Sequence, residues 1–146
     1  MLKLRKNKKG FTLVELIVVI AIMAVLAGTV AGVTVSQLNK NTDKANQTKA
    51  KQVADFVAGM VADPDDFKAI TDDSGAFVLA NVKSKIDTQF GTTYTGASAS
   101  KGGEFALKIT SGAVHIEYKG KTDNGSVNYY VTTNGTISTT APATGG

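Results

Sequence analysis

Hydrophobic and polar positions are distributed unevenly along the 146-residue chain. A basic stretch comes first. From Leu16 to Val35 no residue is charged, and Ser36 to Gln52 is almost wholly polar without Pro or Gly. Val53, Phe56, Val57, Met60 and Val61 then follow i, i+3, i+4, i+7, i+8 spacing, an apolar stripe that predicts a helix packed on another layer. Asp63-Pro64 predicts its end, because the residue before Pro is pushed out of helical geometry and Asp63 can cap a new short turn. A single helix from Phe11 to about Ala62 is expected, roughly 78 Å long at 1.5 Å per residue.

Past the helix the pattern changes. Ala76 to Gln89 carries Phe77, Val78, Leu79, Val82 and Ile86, which suits an amphipathic helix, with Asp72, Asp73 and Ser74 as caps. Gly91 to Gly103 is small and polar, as a loop would be. Alternation then marks strands in Glu104–Ile109 and Val114–Lys119 around a Ser111-Gly112 turn. Phe105, Leu107 and Ile109 share one face, as do Val114, Ile116 and Tyr118. Asp123-Asn124-Gly125 signals a turn, Val127 to Thr132 another strand, and Asn134-Gly135 a tight hairpin before Thr136 to Thr139. The expected fold class is α+β, a long N-terminal helix whose second half packs on three or four antiparallel strands. His115 is out of phase with Val114 and Ile116, which predicts exposure. Tyr129 and Tyr130 should point to opposite faces, one into the core and one outward.

Charge and composition narrow the chemistry. The formal charge of +4 is concentrated in Lys3, Arg5, Lys6, Lys8 and Lys9; removing those five leaves −1, so no nucleic-acid footprint is expected. There is no Cys, which excludes disulfides and thiolate chemistry, and His115 is the only histidine. No catalytic residue, cofactor or metal is expected. Asp72, Asp73 and Asp123 could offer oxygens to calcium, but no dense D-x-D-x-D spacing supports a site, and turn chemistry accounts for them. Lys40, Lys44, Lys49 and Lys51 are read as a solvated helix face rather than a DNA or headgroup site. Asn124-Gly125-Ser126 matches a glycosylation acceptor in form only.

A basic stretch followed by about 20 apolar residues can cross a bilayer, with Met1 to Lys9 held inside. Three readings share this pattern: a secretory signal peptide, a permanent anchor, and a leader followed by a filament-forming helix. Val25-Leu26-Ala27 and Thr29-Val30-Ala31 each precede a Gly as a signal-peptide site would. Neither of the first two readings accounts for Glu15, a carboxylate whose burial in lipid costs roughly 2.5 kcal/mol or more.

Lys8-Lys9-Gly10-Phe11-Thr12-Leu13-Val14-Glu15-Leu16 resembles the class III signal of type IV prepilins and pseudopilins. The likeness is tight from Lys8 to Gly32 and loose beyond. It implies cleavage between Gly10 and Phe11 by prepilin peptidase, N-methylation of Phe11, and assembly through Phe11 and Glu15. Lys8 and Lys9 supply the leader charge. The Glu15 carboxylate needs a cationic partner in hydrocarbon, and cleavage creates one at the Phe11 amine. In the family that pair is thought to join neighbouring subunits, fixing register as a buried polar residue does in a coiled coil.

Gly28 and Gly32 form a small-xxx-small pair for close packing or local flexibility of the helix. The resemblance divides the chain into a leader (1–10), an apolar helix (11–35), an amphipathic half-helix (36–62), a connector with a short helix (63–103), a sheet (104–140) and a tail (141–146). The absence of Cys resembles major pilins of Gram-positive bacteria. The implied function is a pilus subunit for adhesion or motility. It forms a homo-oligomeric filament with the assembly platform and its ATPase, first as a cytoplasmic-membrane precursor and then outside the cell. A pseudopilin of a secretion or DNA-uptake apparatus is the near alternative, and a membrane-anchored binding module the distant one.

Overall fold

The computed structural model describes residues 10–143. Its first helix, α1, covers Leu13–Ala62 in 50 residues. Lys8 and Lys9 lie outside the described residues. The chain divides into two compact units at Leu38/Asn39. In the first unit the apolar side chains of α1 are exposed around the whole circumference, from Leu13 to Leu38.

The second unit contains the core. Asp63 ends α1 and caps α2 (Pro64–Ile70): its Oδ1 accepts from the backbone N–H of Asp65 at 3.0 Å and of Asp66 at 3.2 Å. Pro64 occupies the first helical position, where its missing N–H costs nothing. The next helix, α3, covers Leu79–Phe90, starting three residues later than the apolar pattern suggests. Phe77 instead bridges to Thr71 as an isolated β-pair, and Asp72 closes the intervening turn rather than capping the helix. Its Oδ1 accepts from the N–H of Ser74 and Ala76 and from the Ser74 hydroxyl. Val78 stands at the helix cap without a side-chain hydrogen bond.

Four strands follow, β1 (Phe105–Thr110), β2 (Ala113–Tyr118), β3 (Val127–Val131) and β4 (Ile137–Ser138), as an antiparallel meander in the order β1-β2-β3-β4. This is the α+β arrangement the sequence predicts, and it is consistent with the type IV pilin fold. Register follows the alternation: Leu107 faces Ile116, and Ile116 faces Tyr129. Ser111 and Gly112 both take positive φ, +50° and +74°, which a two-residue hairpin demands. The second hairpin is wider than the tight turn expected at Asn134-Gly135. Val131 pairs with Ile137, five residues separate them, and only Gly135 has positive φ.

The core joins Ala50, Val53, Ala54, Val57 and Met60 of α1 with Ile70, Val82 and Ile86, and with Phe105, Leu107, Val114, Ile116, Tyr118 and Val131 of the sheet. Edge-to-face aromatic contacts run through it from Phe56 to Phe90, Tyr94 and Phe105. The other sheet face is not simply open to water. His115, expected to be exposed, is only 5% exposed. Tyr130, its cross-strand partner, stacks on the imidazole at 4.2 Å, and Asn128 Oδ1 lies 2.8 Å from Nε2. Alternation gave the correct face; the aromatic lid is what it could not show. Tyr129 and Tyr130 are both half-buried, so neither is fully core nor fully exposed.

Candidate functional site

The N-terminal motif residues come first. Gly10 and Phe11 precede the helix in an exposed stretch, Phe11 being 92% exposed, and a Cβ on Gly10 would meet nothing within 4 Å. Thr12 and Glu15 form a capping box. The Thr12 N–H donates to Glu15 Oε2 at 2.8 Å, the Thr12 hydroxyl donates to the same oxygen at 3.0 Å, and the Glu15 N–H donates back to the hydroxyl at 3.2 Å. Thr-x-x-Glu is the sequence signature of that box. It is legible in Thr12-Leu13-Val14-Glu15, beside the assembly role that the prepilin resemblance implies for Glu15. Two consequences follow for Glu15. Its Oε2 is occupied within its own chain, and Oε1 has no partner among the described residues.

Phe11, Glu15, Leu16 and Val19 line a shallow depression of about 420 Å³ on this first turn. Gly28 and Gly32 sit inside α1, which continues through both without a break, and nothing lies within 4 Å of a Cβ built on either. Whatever close approach they permit is not made within this chain.

A second cluster was not legible in the sequence. Asp43 lies in the polar stretch of α1 yet is only 2% exposed. Its carboxylate gathers the loop between β2 and β3. Oδ1 accepts from the Tyr118 hydroxyl and the Lys121 N–H, each at 2.8 Å, and Oδ2 accepts from the Thr122 N–H at 2.9 Å and its hydroxyl at 2.6 Å. Asn46 donates to the Tyr118 hydroxyl at 3.0 Å, and Gln47 donates to the carbonyls of Asn124 and Gly125 at 3.3 and 2.9 Å. Gly125 is required for this approach, since a Cβ there would collide with the Asp43 carboxylate.

No ion pair among the described residues includes Asp43, so hydrogen bonds alone hold its charge. Burial pushes the carboxyl up, but the Thr122 hydroxyl, the Lys121 N–H, the Tyr118 hydroxyl and the Thr122 N–H together outweigh it and bring the pKa to about 2. Burial likewise holds the Tyr118 hydroxyl above its usual range, with Asp43 adding to the effect and Asn46 opposing it. The signal that could have found this cluster is periodicity. Asp43, Gln47 and Ala50 continue the spacing of Val53 and Val57 one stripe further back along the helix.

Beside this cluster is a cavity of about 450 Å³ lined by Lys40, Lys44, Asp123 and Asn124 among others. Asp72 and Asp73 border a different depression next to α2, so the three acids considered for calcium do not meet. Among the described residues no three acidic or histidine side chains come together as a metal site would need. Of the four lysines on the polar stretch, Lys51 pairs with Asp55 at 2.8 Å, while Lys40, Lys44 and Lys49 make no ion pair among the described residues.

Comparison with known proteins gives one match. Residues 5–31 fit the family model of the prokaryotic N-terminal methylation motif; the rest of the chain lies outside that match. No curated protein and no solved structure matches the chain. The motif points to a structural protein, a substrate of prepilin peptidase that is anchored in a membrane as a precursor. With α1 long and apolar enough to cross a bilayer by length and composition, the chain carries the type IV prepilin signal at the head of a long apolar helix, and is in this segment similar to type IV pilins and pseudopilins.

Proposed function

We propose that the chain is the major structural subunit of a type IV pilus. Prepilin peptidase cuts between Gly10 and Phe11 and methylates the new amine. The ATP-driven assembly machinery then draws the subunit out of the cytoplasmic membrane into a surface filament that serves adhesion or motility. The observation that carries this reading is the first half of α1. Ile17, Val18, Val19 and Ile20 lie on different sides of the helix and are all about half exposed, so no single stripe is reserved for the chain's own core. A helix apolar all round needs lipid or other helices as its environment. Lipid is as apolar as the helix itself, so leaving it for a filament requires packing complementarity and polar pairing rather than hydrophobicity alone.

Glu15 can supply that pairing. Its Oε2 keeps the Thr12 cap while Oε1 accepts from the Phe11 amine of a neighbouring subunit, which N-methylation leaves positively charged. A carboxylate without that partner would be costly in the filament core. Gly28 and Gly32, with open space at their Cα atoms, let neighbouring helices approach closely.

The test is the Glu15→Ala variant in cells that carry the matching peptidase and assembly machinery. Processing is expected to proceed, while sheared surface filaments fall at least tenfold, the loss of one charge-assisted pair per subunit contact. Filaments at normal yield from the variant would remove Glu15 from assembly. If the unaltered chain is processed but never appears in long surface filaments, the pseudopilin reading replaces the pilus.

A further inference from the structure

Two Asn-Gly dipeptides lie in loops of the sheet unit, Asn124-Gly125 and Asn134-Gly135. Such pairs are prone to an intramolecular reaction because glycine presents an unshielded backbone nitrogen to the preceding side chain. The two sites differ in how the asparagine amide is held. Asn134 Oδ1 accepts from the Thr136 N–H at 3.0 Å and from the Thr132 hydroxyl, which together fix the amide inside its turn. The Asn124 side chain is exposed and makes no hydrogen bond among the described residues; Gln47 holds only the main-chain carbonyls. On the glycine side, Gly125 and Gly135 each donate their N–H at 2.9 Å, to the carbonyls of Thr122 and Thr132, and Gly125 is the more buried of the two, so the contrast between the sites rests on the asparagine amides.

We infer that Asn124 is a site of spontaneous deamidation in the folded protein and that Asn134 is protected from it. When its bond to the Thr122 carbonyl opens, the Gly125 nitrogen gives its proton to solvent base and attacks the side-chain carbonyl carbon of Asn124. A nitrogen–carbon bond forms, the carbon–nitrogen bond of the side-chain amide breaks, and ammonia leaves with a proton from water. Water then opens the resulting five-membered imide at either carbonyl, giving aspartate or isoaspartate.

The site makes the product consequential. A new carboxylate appears in the wall of the cavity that already holds Asp123, on the loop whose N–H groups at Lys121 and Thr122 serve Asp43. The isoaspartate form also lengthens the main chain by one carbon next to Gly125, where Asp43 leaves no room even for a Cβ. Ageing of the subunit would therefore act first on the contact between this loop and α1. The inference is independent of whether the chain forms a pilus.

The experiment incubates the full chain in detergent micelles at mildly alkaline pH, folded and in denaturant, and follows both sites by peptide mass mapping. In denaturant the two dipeptides share the same chemistry and set the reference ratio of rates. Folding is expected to raise the Asn124-to-Asn134 ratio about tenfold, the scale of the hydrogen bonds that hold Asn134. Thr132→Val, which removes one of those bonds, should speed conversion at Asn134 and leave Asn124 unchanged. A ratio that does not rise on folding, or a folded chain that converts first at Asn134, overturns the inference.

Discussion

Two stretches of one helix differ in a direction opposite to their composition. From Leu13 to Leu38, α1 is almost purely apolar, yet Ile17, Val18 and Val19 remain 51%, 48% and 51% exposed. From Asn39 to Ala62 it is largely polar, yet Ala50, Val53, Ala54 and Val57 are 0% exposed and Asp43 is buried with them. The greasier half supplies no residue to the buried core, and the polar half anchors it. Hydrophobicity in the first half is therefore matched to an environment outside the chain, lipid or copies of itself. In the second half, a narrow stripe is enough because a sheet lies against it.

The largest effect that should separate the two halves comes from truncating a buried aliphatic. Ile116→Ala, opposite the buried stripe of α1, is expected to destabilise the sheet unit by about 2–5 kcal/mol in denaturant unfolding of the full chain in micelles. Ile20→Ala, equally apolar but exposed, should change the same transition by less than about 0.5 kcal/mol. Equal effects would erase the distinction.

Next in size is Asp43→Ala, which leaves the Lys121 and Thr122 N–H groups facing a void. A loss of about 3 kcal/mol is expected, with amide exchange at those two residues rising ahead of the sheet. The same carboxylate makes the fold pH-sensitive. Its folded pKa, about 2, lies below the ordinary 3.8, so its contribution is complete above the ordinary value and fades as pH falls toward 2. That contribution is on the order of 2 kcal/mol. Acid titration of stability should show the loss in the unaltered chain, and Asp43→Asn should flatten it over that window. Smallest is Asp63→Ala, which removes the cap of α2 where α1 stops, at a cost of about 1 kcal/mol in the same unfolding assay.

Much of the fold could be read in advance because its determinants are local. Asp63-Pro64 carries its own stop and start, and Ser111-Gly112 supplies a turn to strands whose alternation sets their faces. What escaped depends on partners far along the chain. Asp43 looks like its polar neighbours until Lys121 and Thr122, 78 and 79 positions later, arrive to satisfy it. His115 is hidden by Tyr130, a neighbour only once β2 and β3 pair. The shift of α3 to Leu79 has the same origin, because Phe77 is drawn into a bridge with Thr71 and stacks edge-on against Phe67. At the N-terminal site the reverse happened. The motif at Gly10, Phe11 and Glu15 was conspicuous enough to hide the ordinary capping box within it.

The central claim is that the apolar half of α1 is released from its leader to pack outside its own chain. N-terminal mass spectrometry of the protein recovered from cells with the matching peptidase tests it most directly. The account predicts a chain that begins at N-methylated Phe11. An intact Met1, or a chain starting at Gly28 or Gly32, would contradict it.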